Sequence, residues 1–593
     1  MTREIDSTNG EGGVIQAAPN LERRSLGALL AMLGGGAALA GCVGEADAVV
    51  SGRVAQAATT SSVLWFDSIA TLRSYSVMAN DSFALLLGYD TRGDGGGGVF
   101  AWKAGAPPTG VLDDDGIVIV SSGTTTGYWV RIYSGPINAR WFGARGDGSH
   151  DDTVAIQKTI NSVGAGNYTT AGGLGSKGYS GVYLPRGCYK VTSTLSIAFK
   201  GVDIVGDGKC ATEVLFVPAN TSGTQTLFDF KMPSGVLYQC ALRDLWITSS
   251  DTSTNKVAVQ LYDTSRFKMD SVAIFGWTGD GSVGIHTLGR ELGRIRNIDI
   301  SADRPIWIDI NPNAPYTTED LDCFHFEDLT ITTLDPSREA IFVQPGVAVN
   351  NWVIDGSNDF TGGRYILKWD APSDTSSPFS SMVTLRNFKC EGMTAAANIG
   401  GAAIHIALTQ GKLRQLLVQN VMFSIAQGDV QGHRNRGLYL RNVSLVSIED
   451  CRFPSIDTAA VPDLPVIDVD STCFEVKWSN CLFLQYGKVS TGSLSCIQQS
   501  PVLAYYPGEW PPPSAHYSVD LQGLGIVWRV RDTLSARLTG SIAAGSTITV
   551  PQVVYQDGRV GVVTVTAYNT SSNALCAGVV AFVHQSSSRL LVE

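Results

Sequence analysis

Nine times along the middle of this chain a polar residue is followed by an apolar one, any one, and another apolar one. The pattern starts at Asp244, Ser271, Asn297, Asp328, Asn351, Asn387, Asn420, Asp450 and Asn480, about thirty residues apart. Its first apolar position runs from Leu245 through Trp352 to Cys451 and Cys481, and its second from Ile247 through Cys390 to Phe483. Every one of these positions is apolar or cysteine. Residues two apart share one face of a strand, so each repeat carries a short strand with one buried face. One such strand per thirty residues, with no helical stretch between, predicts coils of a parallel β-solenoid stacked ~4.8 Å apart. Independent strands of a β-sandwich would not keep the polar first residue nine times. In a solenoid that residue can stack at a turn and bond the backbone of its neighbours.

Composition agrees with this. The chain has 593 residues, 44% of them hydrophobic and 16% charged, with 65 glycines, which suits a turn-rich β protein. A net charge of -11 argues against nucleic acid as the partner, because phosphate binding depends on clustered Lys and Arg. An anionic sugar needs only a local basic groove.

Residues 1–42 read as an address. A polar leader reaches Arg23-Arg24 and then a small, apolar run ends in Leu39-Ala40-Gly41-Cys42. The arginine pair resembles a twin-arginine signal, and Leu-Ala-Gly-Cys resembles a bacterial lipobox, which implies lipidation of Cys42 and export. Val43 after the cysteine points by analogy to an outer-membrane lipoprotein, with a plain signal peptide and a secreted or periplasmic protein as the alternative. A membrane contact is expected only through that lipid anchor. Ten further cysteines fit no zinc spacing. Cys451 and Cys481 fall inward on adjacent coils, where a disulfide and two packed thiols are equally compatible.

Trp141-Phe142-Gly143-Ala144-Arg145-Gly146-Asp147-Gly148, then Asp151-Asp152-Thr153-Val154-Ala155-Ile156-Gln157, resembles the opening signature of the pectate-lyase-like β-helix superfamily. The resemblance is to the rhamnogalacturonase, epimerase and tailspike branch, and Val182 to Tyr189 and Gly206-Asp207-Gly208 continue it. It implies an all-β fold, a single-stranded right-handed parallel β-helix with small N- and C-terminal β domains. Asp151 and Asp152 are expected to cap a short helix whose Ile156, Ile160 and Val163 close the solenoid end. The aspartates of the signature are therefore read as structural.

The expected organisation is a signal at 1–42, a linker at 43–62, a small β domain at 63–135, the β-helix at 136–490 and a C-terminal β domain at 491–593. The run Gly93–Gly98 with Phe100, Trp102 and Gly127–Arg131 resembles the small domain ahead of the solenoid in tailspike-like depolymerases. No Lys-Ser or Lys-Thr pair follows the glycines, so they read as a turn rather than a phosphate loop. Beyond Pro511-Pro512-Pro513, Val553–Val565 reads as a hairpin about Asp557-Gly558.

The register nominates a site. Four residues after their markers, Asp355 and Glu391 occupy one outward position on successive coils, with Lys389 beside them. Two carboxyls about 5 Å apart would suit the acid and nucleophile of a retaining glycosidase. Lys389 could neutralise the pair or act on a uronate, and a solvated Asp/Glu/Lys cluster is the plain alternative. Arg290, Arg294, Arg296 and Arg304 form a second, basic candidate for holding a carboxylated or sulfated sugar. His325 reads as structural, and His433-Arg434-Asn435-Arg436 as a weaker uronate-binding turn.

The Asn-Thr-Asp, Gly-His-Gly and Arg-Ile-Lys set of polygalacturonases and the Tyr-Gly-Phe-Asp-Pro-His of mannuronan epimerases are absent, so no catalytic residue carries over. The expectation is an exported polysaccharide-degrading enzyme, a glycoside hydrolase first. A polysaccharide lyase acting on a uronate polymer comes next, and a non-catalytic adhesin third. No cofactor is expected, with calcium only for a lyase. Trimers are frequent among tailspike-like relatives, and the sequence leaves the oligomeric state open.

Overall fold

A computed structural model describes most of residues 64–491 and the strands within 561–582. Residues 1–63, 492–560 and 583–593 lie outside the described residues, as do 168–180, 311–320, 372–379, 392–400, 424–434, 454–464 and shorter runs. Cys42 and the leader fall among them.

Between Ile137 and Thr491 the described residues wind as a right-handed parallel β-helix whose strands join two long sheets. The first sheet takes Ala241–Ser249, Lys268–Trp277, Arg294–Ala302 and His325–Thr333 in turn, each parallel to the next. The second takes the alternate strands Lys256–Ser265, Val283–Glu291, Arg304–Ile308, Glu339–Val343, Tyr365–Ala371, Ala402–Leu408 and Arg436–Arg441. Between the sheets runs one continuous core in which Trp277, Trp352, Trp369 and Phe324 are fully buried.

The polar markers have a backbone cause. Asp244, Ser271, Asn297, Asp328, Asn387, Asn420 and Asp450 all have φ between 51° and 59°. This left-handed conformation costs Asn and Asp less than other side chains, because their short polar groups bond locally. The side chains also bond coil to coil: Asn297 Nδ2 donates to Ser271 Oγ at 2.8 Å, and Asn420 Nδ2 to Asn387 Oδ1 at 2.9 Å.

Asn351 departs from the expected register. It has φ 49°, yet it belongs to a second bend in the same coil, above Cys323, whose N–H donates to Asn350 O. The residue continuing the stack above Asp328 is Gly356. From Glu327 to Thr330 is three residues, but their partners Asp355 and Asp359 are four apart, so this coil carries one extra residue, a β-bulge.

At the solenoid's N-terminal end, the helix Thr153–Asn167 buries Ile156, Ile160 and Val163 against the core. Asp151 Oδ1 accepts from Thr153 N, and Asp152 accepts from Arg145 N and Gly146 N. Both carboxylates are spent on the cap. Ahead of it a five-stranded sheet packs around Phe100, Ile119 and Trp129. Its buried Arg131 donates to Gly116 O, Gly97 O and Gly96 O, and its guanidinium lies 4.8 Å from the Trp141 ring, joining the sheet to the cap. Gly93 and Gly95 take φ of 85° and 88° in a turn.

In the C-terminal region Gly561–Asn569 pairs antiparallel with Ala574–Phe582. Val562–Val565 thus lie on the first strand of this pair, and the expected turn at Asp557-Gly558 lies outside the described residues.

Candidate functional site

The bulge at Gly356 removes the expected carboxylate pair. Asp355 ends the strand Trp352–Asp355 and stands level with Glu327; Glu391 stands level with Thr361, and Lys389 with Asp359. Asp355 and Glu391 are therefore not neighbours on successive coils. Asp355 instead accepts from Arg386 Nη2 at 2.6 Å and Asn387 Nδ2 at 2.7 Å. Burial alone would raise its carboxyl, but these two donors outweigh it and hold it below the usual carboxylate range. It is a rung in a ladder of ion pairs up the first sheet, with Arg243 on Asp203 and Arg296 on Asp270 below it.

The four arginines do not form one cluster. Arg294 and Arg296 lie on the first sheet, with Arg294 3.5 Å from Glu327. Arg290 and Arg304 belong to strands of the second sheet, Arg290 at the level of Thr264 and Leu321. His325 opens its strand, 3.7 Å from Glu327. Cys451 and Cys481 are buried free thiols, each donating to a carbonyl of an earlier coil, Val418 O and Ile448 O.

What the structure brings together lies on the outer face of the second sheet. One outward register position holds His286, Trp307, Phe342, Lys368, His405, Tyr439 and Asp468 on seven successive coils. All but His286, which lies between Ile285 and the buried Thr287, sit between two inward apolar residues, as in Ile306-Trp307-Ile308, Ile404-His405-Ile406 and Leu438-Tyr439-Leu440. That second repeat is present in the sequence. Its spacing varies from 21 to 37 residues because the connecting loops differ, and no polar marker opens it, so a search for a fixed period passes over it.

Two histidines in this column share one arrangement. His286 stacks on Trp307 with centroids 4.3 Å apart, and its Nε2 lies 3.1 Å from Asp309 Oδ2. His405 stacks on Tyr439 at 4.6 Å, meets the edge of Tyr365 at 5.4 Å, and its Nε2 lies 2.7 Å from Asp370 Oδ1. Two rings and a carboxylate thus fix the His405 imidazole, while 18% of its side chain stays exposed. Burial works to raise Asp370, but the hydrogen bond and charge of His405, and then Lys368, outweigh it and hold the carboxyl below its ordinary range.

Cations surround this pair. Lys368 Nζ stands 3.4 Å from Asp370 and 3.7 Å from Glu339. Arg436 and Arg441 each pair with Asp468 at 2.9 Å, and Arg441 lies 4.0 Å from the Tyr439 ring centroid. Arg436, expected on a turn as a weaker uronate candidate, instead opens the strand Arg436–Arg441 and joins the cluster, and so does Arg304. Burial pushes the Arg304 guanidinium down, against the pull of Glu339. Among the described residues no three His, Cys, Asp or Glu side chains converge as a metal site.

Residues 136–358 match the family described as rhamnogalacturonase A/epimerase, pectate lyase-like, and residues 66–134 match the phage tail protein small four-stranded β-sheet domain. No curated protein matches by sequence. Among solved structures the chain is similar to the enzymatically active domain of bacteriophage CBA120 tailspike protein 2, at 14% identity and a TM-score of 0.38. That match covers 74% of this chain and 57% of the other, so the chain spans little more than half the length of that relative. It is also similar to a tailspike protein of Acinetobacter baumannii bacteriophage Fri1, a capsular polysaccharide depolymerase, at 12% identity, TM-score 0.44 and 74% of each chain. A third likeness, to a surface adhesin of Streptococcus pneumoniae, has 13% identity and a TM-score of 0.42, covering 63% of this chain and 96% of that one. The family match at 136–358 and the two-sheet solenoid it opens place this β-helix in the pectate-lyase-like superfamily.

Proposed function

We propose that this chain binds a polysaccharide along the outer face of the second sheet and cleaves it by elimination at a uronate, with His405 as the base. The observation that carries the reading is the His405–Asp370 contact at 2.7 Å, with the imidazole clamped by Tyr365 and Tyr439. A histidine oriented by a carboxylate and denied rotation is built to move a proton at a defined place. The imidazole takes the proton from the carbon beside the sugar carboxylate. Its electron pair becomes a carbon–carbon double bond as the glycosidic C–O bond breaks, and the leaving oxygen takes a proton from solvent. Lys368, Arg436 and Arg441, each shared with a carboxylate of the same face, are the cations through which a sugar carboxylate would be held. The family match supports a carbohydrate substrate.

Hydrolysis is the second reading, favoured by Glu339 and Asp370 standing on successive coils on either side of Lys368. Asp370, kept ionised, would there be the nucleophile or base. Incubating the protein with neutral and uronic polysaccharides separates the readings. Ultraviolet absorbance of an unsaturated uronide marks elimination, new reducing ends without it mark hydrolysis, and binding without either marks an adhesin.

We also propose that the chain works outside the cytoplasm, tethered through Cys42. Radiolabelled fatty acid incorporated into the wild type and lost in Cys42→Ser is the expected result; equal labelling of the two would refute it.

A further inference from the structure

The ion pairs around His405 continue away from it across four coils. Arg304 Nη2 lies 3.3 Å from Glu339 Oε2, Glu339 Oε1 lies 3.7 Å from Lys368 Nζ, and Lys368 Nζ lies 3.4 Å from Asp370 Oδ2. Asp370 Oδ1 then meets His405 Nε2 at 2.7 Å. The signs alternate without a break. Glu339 is 5% exposed, and the Arg304 guanidinium lies 5.3 Å from the Trp307 ring and 4.6 Å from that of Phe342. Charges so enclosed are weakly screened and act on one another more strongly than they would at the surface.

We infer that Glu339 and Arg304 are positioning residues that set the proton affinity of His405 by controlling how Lys368 divides itself between two carboxylates. The catalytic meaning of this rests on His405 being the proton-transfer group; the electrostatic claim does not. With Glu339 neutral, the ammonium closes on Asp370, which then holds a proton on the imidazole less well. With Arg304 neutral, Glu339 draws Lys368 away and Asp370 holds that proton better. The described groups facing the imidazole are consistent with this path. From the strand Tyr365–Ala371 these are Tyr365, Lys368 and Asp370. From Arg436–Arg441 there is Tyr439, with Arg436 and Arg441 tied to Asp468.

The test is an NMR titration of His405 in the full chain carrying isotope-labelled histidine, with His405→Gln identifying the signal. Glu339→Gln should move the titration to lower pH and Arg304→Gln to higher pH, each by about threefold or more in proton affinity. In a Lys368→Met background both effects should vanish, because the shared ammonium is gone. Shifts in one direction, no shift, or effects that survive Lys368→Met would overturn the inference. Should Glu339→Gln not fold, Arg304→Gln with and without Lys368→Met puts the same question. Activity is not read, so failure of the cleavage proposal leaves this result interpretable.

Discussion

Gly356 lies so close above Asp328 that a Cβ on it would stand 2.4 Å from Asp328 Oδ1 and 2.6 Å from its backbone nitrogen. With φ 109° it also holds a conformation that side chains resist. This contact sets how the two coils align beyond it, and so which side chains face one another on the first sheet.

Gly356→Ala should therefore destabilise the solenoid by about 1–3 kcal/mol, the cost of forcing such a backbone and moving its neighbour. Thermal unfolding followed by circular dichroism measures it. A melting temperature equal to that of the wild type would show that the bulge is relaxed rather than fixed.

His405→Ala and Asp370→Asn should each lower kcat on the cleaved polysaccharide by about 10²- to 10⁴-fold, the usual contribution of a positioned proton-transfer group. KM should change little. Steady-state kinetics on variants with unchanged circular dichroism decide this, and near-wild-type rates would move the chemistry elsewhere.

Asp355→Asn should leave cleavage intact, because its carboxylate is engaged by Arg386 and Asn387 and lies on the other sheet. The expected stability loss is at most about 1 kcal/mol, typical of a solvent-accessible ion pair. A hundredfold drop in rate would restore Asp355 as a site residue.

Acid should weaken the small N-terminal domain through Asp94. Burial tends to raise this carboxyl, but N–H groups of Thr91, Gly96, Tyr89 and Asp90 outweigh it and keep it below its ordinary range. A depressed carboxyl adds stability above its unfolded value, about pH 4, and loses it as pH falls through the folded value. Asp94→Asn should thus lower the unfolding midpoint at pH 7 and matter progressively less below pH 4. An effect that does not depend on pH would contradict this.

Arg131→Ala should loosen the same domain from the solenoid cap, since three backbone carbonyls lose their donor and the contact with Trp141 goes. The cost should be about 2–4 kcal/mol, as buried acceptors are left unmatched. Limited proteolysis between 130 and 145 should accelerate. Protection equal to the wild type would show that the other cap contacts, such as Lys158 with Asp115, suffice.

Much of the architecture was legible in the chain, because the markers are backbone requirements. Asp, Asn or Ser at a left-handed bend followed by two inward apolar residues is a local pattern, and locality is what a sequence displays. The cap helix was legible for the same reason, with Asp151 and Asp152 beside Ile156 and Ile160. The site was not. Asn351 also occupies a left-handed bend ahead of two inward residues, Trp352 and Ile354, so it passes as the marker although its bend is a different one. Only the pairing of Glu327 with Asp355 and of Thr361 with Glu391 reveals the extra residue.

By itself the sequence determined the solenoid, its core and its cap, since these follow from alternation and turn chemistry within a few residues. The tertiary structure decided which outward side chains meet. His405 finds Asp370 35 residues away, and Lys368 finds Glu339 on the preceding coil, because loops of unequal length return each strand to the same register. Loop length carries no side-chain pattern, so the alignment of coils, and with it the chemistry of the outer face, emerges only when the backbone ladders form.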